Sequence, residues 1–349
     1  MKLSIAFITY NNNSLKYLPF FLPSLFSTIN QAKSNLVDLD IDILIVDNSD
    51  TSFTGNFDFL SNAFSDKKYD YKIWRSSSNL GFAKAYNLML NWSLQNKSDL
   101  FLVINPDVVF DDLFLEKLIM AHKLDNNIAV WVPKILYWNF NLNKKTDIID
   151  SYGLGLNKFH HFFDLGQGKK QLQYLVENNR EVFGFTGAGA LFNLSQILIS
   201  ANLVGDYLEF FDELMFMYKE DIDLSYRLQL AGKKIIFLPE AIMYHDRTLS
   251  KKNIFKKIFD KEKKISNSRS FLNQLIILYK IKKIPFSFVV RFSTKFRLIF
   301  LYIYGFLFEK QSLNNFKKIR SQIKENNTNL SINREIITKI ETFMKGLDL

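Results

Sequence analysis

The sequence predicts an α/β protein with a mostly parallel central sheet. Apolar runs of strand length alternate with helical segments through the first half of the chain, and this order produces parallel strands covered by helices on both faces. Polar residues follow several of the runs, at the strand ends where such sheets bind ligands. With 349 residues and 48% hydrophobic content, the chain can bury the core that this fold requires.

The predicted elements follow one another in a regular order. We expect strands at 3–10, 41–46, 71–74, 100–104, 128–136 and 234–239, and helices from about residue 15 and at 57–64, 82–95 and 111–124. Pro19 and Pro23 shape the early part of the first helix. A further short helix starts at residue 220 and ends before Gly232, which suits the position after a helix.

Two segments lack the clear hydrophobic periodicity of a helix or a strand. Residues 139–180 contain four glycines, and we expect an irregular excursion over the binding cleft. Residues 182–192 form an apolar strand with three glycines. Either a ligand approaches this backbone closely, or the strand packs tightly against a helix.

The segment 216–245 has the layout of a reactive site. Glu220, Asp221 and Asp223 fall in the first helical turn, where the helix dipole stabilises ionised carboxylates, and the next strand leads to His245. A carboxylate pair and an imidazole can therefore face one cleft. The alternative is that acidic residues are common in first turns and that Asp223 forms an ordinary ion pair with Arg227.

A second acidic site lies upstream. Asp107 follows the strand 100–104, and its carboxylate could hold a divalent ion that also binds a diphosphate, or it could cap the next helix. Asp47, at the end of the second strand, could accept hydrogen bonds from a sugar or a base, or shape a turn. Asn79 and Gly81 open a helix where free backbone N–H groups could receive phosphate.

Several classes of protein are excluded by missing features. The three-glycine dinucleotide fingerprint and the P-loop are absent, so the chain is neither a Rossmann dehydrogenase nor a P-loop NTPase. There is no cysteine, so a bound metal would use oxygen and imidazole ligands, which favours Mg²⁺ or Mn²⁺.

The first residues lack the length and cleavage region of a signal peptide, and we expect a cytoplasmic protein.

The chain resembles the glycosyltransferase family 2 enzymes of the GT-A fold, particularly rhamnosyltransferase-like members that build bacterial surface polysaccharides. The resemblance covers about residues 1–249. It is carried by five motifs in the family's order: IAFITYNN at 4–12, ILIVDNSD at 43–50, NLGFAKAYN at 79–87, FLVINPD at 101–107 and EDIDLSYRLQLAGKKIIFLPEAIMYH at 220–245. The family's D-x-D-like motif here reads Asn105-Pro106-Asp107, with only the last carboxylate present.

The resemblance implies a role for each matching residue. The residues implied to surround the nucleotide sugar are Thr9, Asn11, Asp47, Asn79, Gly81 and Asp107. Asp107 and His245 would contact the metal, Mg²⁺ or Mn²⁺. The Glu220-Asp221 pair would supply the catalytic base, for which we favour Asp221. Glu220 could instead bind the acceptor hydroxyl, and we also expect Gly187 to contact the acceptor.

The residue types fit this chemistry independently of the resemblance. Inverting transfer is a single displacement at the anomeric carbon, which needs one carboxylate to accept the acceptor's proton and a cation beside the departing diphosphate. A Ser-His-Asp hydrolase is disfavoured because no G-x-S-x-G occurs. Glycoside hydrolysis would leave the nucleotide-type first half unexplained. We expect His122, His160 and His161 to be surface or loop residues rather than ligands.

The basic charge lies in the last hundred residues. Residues 250–349 hold 22 Lys and Arg against 7 Asp and Glu, in a region that we expect to be helical. Its apolar segment 285–308 contains Arg291, Lys295 and Arg297, and its uninterrupted part is too short to span a bilayer. It could lie on an anionic membrane surface, pack in a C-terminal bundle or contact another subunit. Nucleic-acid binding does not explain its many Phe and Ile residues.

We therefore predict two regions, a glycosyltransferase domain at 1–249 and a basic helical region at 250–349. The predicted enzyme moves a sugar, with rhamnose from dTDP-rhamnose as the best guess, from a nucleotide donor to a lipid-linked saccharide. It would act as a peripheral protein on the inner face of the cell membrane. The alternatives are a catalytically weak sugar-nucleotide-binding or scaffold protein, suggested by Asn105, and a basic nucleic-acid-binding protein.

Overall fold

The fold is built on one ten-stranded sheet, in a computed structural model that describes residues 1–66, 69–247, 261–323 and 333–345. Numbered along the chain, the strands are β1 Lys2–Thr9, β2 Asp40–Asp47, β3 Asp70–Arg75, β4 Leu100–Ile104, β5 Val108–Phe110, β6 Val130–Asn139, β7 Lys144–Ser151, β8 Leu154–Leu156, β9 Phe162–Asp164, β10 Arg180–Glu181, β11 Gly189–Asn193, β12 Asn202–Val204, β13 Tyr207–Glu209 and β14 Ile235–His245. The main sheet has the order β10-β14-β6-β11-β4-β1-β2-β3, with β5 also on β14 and β7 also on β6.

Most neighbours along this path are parallel. β4, β1, β2 and β3 form a parallel block, β14 runs parallel to β6, and β11 is antiparallel between β4 and β6. The prediction of an α/β fold with a mostly parallel sheet is confirmed. The apolar runs around Pro239 form one strand, β14, with an irregularity between Leu238 and Ile242 where proline supplies no N–H.

Eleven α-helices lie within the described ranges. They are α1 Asn11–Leu15, α2 Leu18–Asn35, α3 Gly55–Ala63, α4 Gly81–Gln95, α5 Phe114–Leu124, α6 Leu194–Ile197, α7 Glu220–Leu230, α8 Lys261–Ile281, α9 Phe288–Phe308, α10 Lys310–Ile319 and α11 Arg334–Met344. Side chains alternate between two cores along each central strand, so that Ile5 packs with α2, α3 and α5, and Ala6 packs with α4 and α7. Helices therefore cover both faces of the sheet.

The C-terminal helices share a third core with the rest of the protein. Residues of α8 to α11 pack with Leu154, Leu156, Phe183 and Tyr226, which belong to the first 249 residues. The predicted boundary near residue 249 lies outside the described residues, and the division into two domains stays a prediction.

The prediction for residues 139–180 is wrong in part. β7 pairs antiparallel with β6, and β8 pairs with β9, in a stretch that we expected to be irregular. The turn between β6 and β7 uses Asn143 in the left-handed conformation, with φ of 44°, so no glycine marks this hairpin in the sequence. His160 lies in a loop, as expected, but it is fully buried and hydrogen-bonded to Tyr226.

The segment 182–192 is a strand only from Gly189 onward. A Cβ atom at Gly184 would lie 2.5 Å from the Ser225 hydroxyl of α7, and one at Gly187 would lie 2.9 Å from the Phe82 ring of α4. These glycines allow tight packing against helices, which is one of the two interpretations that the sequence left open.

Candidate active site

A cavity of about 810 Å³ lies at the carboxyl ends of the parallel strands, next to the start of α7. The predicted site residues on its wall are Asn79, Gly81, Gly187, Glu220, Asp221 and His245. The structure thus brings residues of the third and last motifs of the chain to one space, as the ends of parallel strands require.

Thr9 and Asp47 lie beneath this space rather than on its wall. They are register partners on β1 and β2, both are fully buried, and the Thr9 hydroxyl donates a hydrogen bond of 2.9 Å to Asp47 Oδ1. Asn11 is bonded to Asp50, with its Nδ2 donating at 2.8 Å. These bonds hold the ends of β1 and β2 together, and direct contact of the three predicted residues with a nucleotide stays a prediction.

The start of α4 is closed by a neighbouring loop. Gly81 has a φ of +73°, and a Cβ atom there would lie 2.6 Å from the Phe216 carbonyl oxygen. That oxygen accepts the N–H groups of Phe82 and Ala83 at 2.7 and 3.1 Å, and Asn79 Oδ1 accepts the Gly81 N–H at 2.8 Å. The expectation that these N–H groups are free to receive phosphate is therefore wrong.

The carboxylate pair has two different environments. Glu220 is 4% exposed, and its Oε2 has no hydrogen-bond partner in the described part of the chain. Asp221 is half-buried and accepts the Gly187 N–H at 3.0 Å and the Ile222 N–H at 2.8 Å. Gly187, a predicted acceptor contact, thus orients Asp221 through its backbone.

Burial shifts both carboxylates toward the protonated form. It raises the pKa of Glu220 well above its ordinary value, and the negative charge of Asp221 raises it further. Burial also raises the pKa of Asp221, although the N–H groups of Gly187 and Ile222 act in the opposite direction. A carboxylate with a raised pKa at a cavity wall is suited to accept a proton.

His245 lies between two carboxylates. Its Nε2 is 3.3 Å from Asp107 Oδ2, and its Nδ1 is 2.8 Å from Asp150 Oδ2. Burial lowers the pKa of the imidazole, but Asp107 and Asp150 outweigh this effect and raise it to about 10.

A divalent cation that also binds phosphate oxygens would receive a carboxylate from Asp107 and, once its proton is displaced, the imidazole of His245. Asp107 Oδ1 is buried without a hydrogen-bond partner, and Asp150 stands behind the imidazole as carboxylates do behind metal-bound histidines. No group of three or more His, Asp or Glu side chains in the described ranges is arranged to hold a metal. Mg²⁺ commonly takes one or two protein carboxylates and completes its shell with phosphates and water.

Sequence reasoning missed Asp150, Asp164 and Arg247. Arg247 lines the cavity and pairs with Asp164 at 2.6 Å and Asp150 at 3.2 Å. Its position two residues after His245 was a signal that could have identified it. Asp150 and Asp164 lie in the segment expected to be irregular, where no strand placed them at the site.

The predicted ion pair of α7 is present, but it is not an ordinary surface pair. Arg227 Nε lies 2.9 Å from Asp223 Oδ2, and both side chains are almost fully buried. Lys280 of α8 joins the pair at 2.7 Å from Asp223 and also lies 2.5 Å from Asp212. The helix that carries Glu220 and Asp221 is therefore fixed by residues far away in the sequence.

The fold and this cavity fit an α/β enzyme of group transfer, with a carboxylate pair and an imidazole on the wall of one cavity. The chain belongs to glycosyl transferase family 2, since the family model Glycosyl transferase family 2 matches residues 4–192, which is more than half of the chain. It is a glycosyltransferase that uses a nucleotide-sugar donor, and its α/β fold is of the GT-A type.

Solved structures with a similar fold include a mannosyltransferase. The fold is similar to that of the mannosyltransferase PcManGT from Pyrobaculum calidifontis in complex with GDP-Man and Mn²⁺. The TM-score is 0.49 at 10% sequence identity, and the similarity covers 98% of this chain and 84% of that chain. The comparison with curated proteins finds no match.

Proposed function

We propose that the enzyme transfers a sugar by a single inverting displacement, with Asp221 as the base. The acceptor hydroxyl oxygen forms a bond to the anomeric carbon while the bond from that carbon to the diphosphate oxygen breaks, and the hydroxyl proton passes to the Asp221 carboxylate. The observation that carries this proposal is the position of Asp221 on the cavity wall, with its carboxylate fixed by the Gly187 N–H.

Glu220, Asp107 and His245 complete the proposed reaction. Glu220 would contact the acceptor hydroxyl or raise the basicity of Asp221 by its charge. Asp107 and His245 would hold a Mg²⁺ or Mn²⁺ ion, which when bound supplies positive charge beside the leaving diphosphate. Arg247 lines the same cavity, where a cation can attract the donor phosphates.

The donor is tested by thermal stabilisation. A ligand that binds only the folded state raises the midpoint of thermal unfolding, by an amount that grows with its concentration relative to Kd. We expect dTDP-rhamnose with Mg²⁺ or Mn²⁺ to give the largest shift among uridine, thymidine and guanosine sugars. Transfer or hydrolysis of the stabilising donor is then measured. A larger response to another sugar would change the proposed donor, and no response to any would contradict the proposed donor class.

The acceptor that we propose is a lipid-linked saccharide of a bacterial surface polysaccharide. The support is an exposed apolar surface on α9. Eleven apolar side chains of this helix are 40–75% exposed: Phe288, Val289, Phe292, Phe296, Ile299, Phe300, Ile303, Tyr304, Phe306, Leu307 and Phe308. Such an exposed apolar surface is unusual for a protein that contacts only water.

Charge complementarity favours an anionic membrane as the partner of this surface. Residues 288–308 contain no Asp or Glu, and Arg291 and Lys295 are exposed beside the aromatic side chains. Within the described ranges, no helix has the length and apolar character needed to cross a bilayer. A helix of this kind can lie in the headgroup region with its apolar side toward the acyl chains. We propose that it holds the enzyme on the inner face of the cell membrane.

Removing two aromatic rings from α9 should weaken membrane binding. We expect the wild type to co-sediment more strongly with vesicles containing phosphatidylglycerol than with phosphatidylcholine vesicles. The Phe292→Ser/Phe296→Ser variant should bind the phosphatidylglycerol vesicles at least about tenfold more weakly than the wild type does. Phe57→Ser, at an exposed ring on α3, is the matched control and should bind as the wild type does.

The same variants identify the alternative partner. A wild-type dimer in solution that the double variant dissociates, with no vesicle binding by either protein, would show that this surface contacts a second copy. Unchanged vesicle binding by the double variant would contradict the role of α9.

A further inference from the structure

The loop before α7 has a conformation that needs external support. Phe216, Tyr218 and Lys219 have φ values of 57°, 71° and 69°. These values lie in the left-handed region, which is unfavourable for residues other than glycine. Three such residues within four positions persist only where surrounding contacts fix them. Because this loop leads directly into Glu220 and Asp221, whatever fixes it also sets the position of the carboxylate pair.

One side chain of α8 contacts three carbonyl groups of that loop and of the residue before it. Asn273 is 1% exposed, and its Nδ2 lies 2.9 Å from the Met215 carbonyl oxygen, 2.9 Å from that of Met217 and 2.6 Å from that of Tyr218. The amide has only two N–H groups, so two of the three carbonyl oxygens accept a hydrogen bond from the same N–H group. One turn earlier on the same face of α8, the guanidinium of Arg269 lies 4.1 Å from the centre of the Phe216 ring.

The other side of the loop is bonded to α4. The Phe216 carbonyl accepts the first N–H groups of that helix, and Gly81 leaves room for it. The loop therefore joins the helix behind the predicted nucleotide site to the helix that carries the carboxylate pair. Its conformation sets the distance between the two halves of the cavity.

We propose that Asn273 is a positioning residue of the transfer reaction, and that α8 completes the active site although it lies outside the residues that the family model matches. Asn273 fixes the loop 216–219 so that Asp221 meets the acceptor hydroxyl while the donor stays against α4. This inference rests on the proposed function for the identity of the base. It does not depend on the sugar or on the acceptor.

The test compares two buried amides on the same helix. In Asn273→Ala the loop loses its support, and we expect kcat to fall about 10- to 100-fold, because small errors in position are costly for a reaction between oriented groups. KM for the donor should change much less. The matched control is Gln274→Ala. Gln274 is 4% exposed but donates to the His160 carbonyl, away from the loop, so this variant should lose stability with little change in kcat.

Amide hydrogen exchange provides a readout that does not depend on activity. Peptides covering residues 215–222 should exchange faster in Asn273→Ala than in the wild type or in Gln274→Ala. If Asn273→Ala does not fold, Asn273→Ser keeps one donor and should show a smaller effect in the same direction. Equal kcat in Asn273→Ala and the wild type, or an equal loss in Gln274→Ala, would overturn the proposal. Faster loop exchange in Asn273→Ala, together with a wild type that transfers no sugar, would contradict only the proposed function.

Discussion

Replacement of Asp221 by Asn is expected to remove nearly all sugar transfer and to leave donor binding nearly unchanged. The amide has the shape of the carboxyl group, and its oxygen can still accept the Gly187 N–H, but it cannot take a proton from the acceptor. General base catalysis contributes about 10²- to 10⁴-fold, and we expect kcat to fall by about 10³-fold. Donor Kd from calorimetry and kcat from product formation measure the two effects separately.

Two further variants make this result specific. Glu220→Gln should reduce kcat less than Asp221→Asn if Asp221 is the base, and the reverse order would assign the base to Glu220. Asp58→Asn changes an exposed carboxylate in the first turn of α3 and serves as the control for the substitution itself. Near wild-type turnover in both Asp221→Asn and Glu220→Gln would contradict a carboxylate base in this pair.

The pH dependence of the reaction should carry the same signature. The base must be ionised to act, so kcat/KM falls as pH falls through its pKa in the free enzyme. Burial raises the pKa of both carboxylates, and the acidic limb of the profile should therefore lie above the range of an exposed Asp or Glu. The residual activity of Asp221→Asn should lack that limb.

The features that the sequence predicted well are determined by neighbouring residues. Helix α7 carries the three predicted acidic residues in its first turn, a pattern that neighbouring positions of the sequence show directly. The central strands were visible as apolar runs, and their parallel order followed from the helices between them. Asn79, Gly81, Gly187, Glu220, Asp221 and His245 share a cavity because parallel strands end on the same edge.

The features that the sequence did not reveal depend on contacts between distant segments. Asp150 reaches His245 only because β7 pairs with β6, and the turn that makes this possible contains no glycine signal. Asn273 and Lys280 stood in a region with a net positive charge, where a buried amide or ammonium looks like any solvated polar residue. Their partners lie more than 50 residues away, which no local pattern reports.

Lys280 holds the most consequential of these distant contacts. Its ammonium group is 3% exposed and lies between the carboxylates of Asp212 and Asp223. Burial alone would raise the pKa of Asp223, but Lys280 and Arg227 lower it below its ordinary value. The four side chains carry two negative and two positive charges, so the buried cluster is neutral.

Removal of Lys280 should therefore destabilise the protein strongly. In Lys280→Met the packing of the aliphatic part is kept, but Asp212 loses its cation and Asp223 keeps only Arg227. Breaking a buried ion pair in this way costs about 3–5 kcal/mol. We expect the free energy of unfolding, measured by urea denaturation, to fall by that amount. Lys317→Met, at an exposed position on α10, should change it by no more than about 0.5 kcal/mol.

A second substitution separates the charge from the packing. Lys280→Met/Asp212→Asn restores a neutral cluster, because Asp223 then keeps Arg227 as its partner and no carboxylate is left unpaired at position 212. The double variant should therefore be more stable than Lys280→Met alone, although each substitution removes a native contact. A double variant that loses the sum of the two single effects would show that Lys280 stabilises α7 by packing and not by neutralising buried charge.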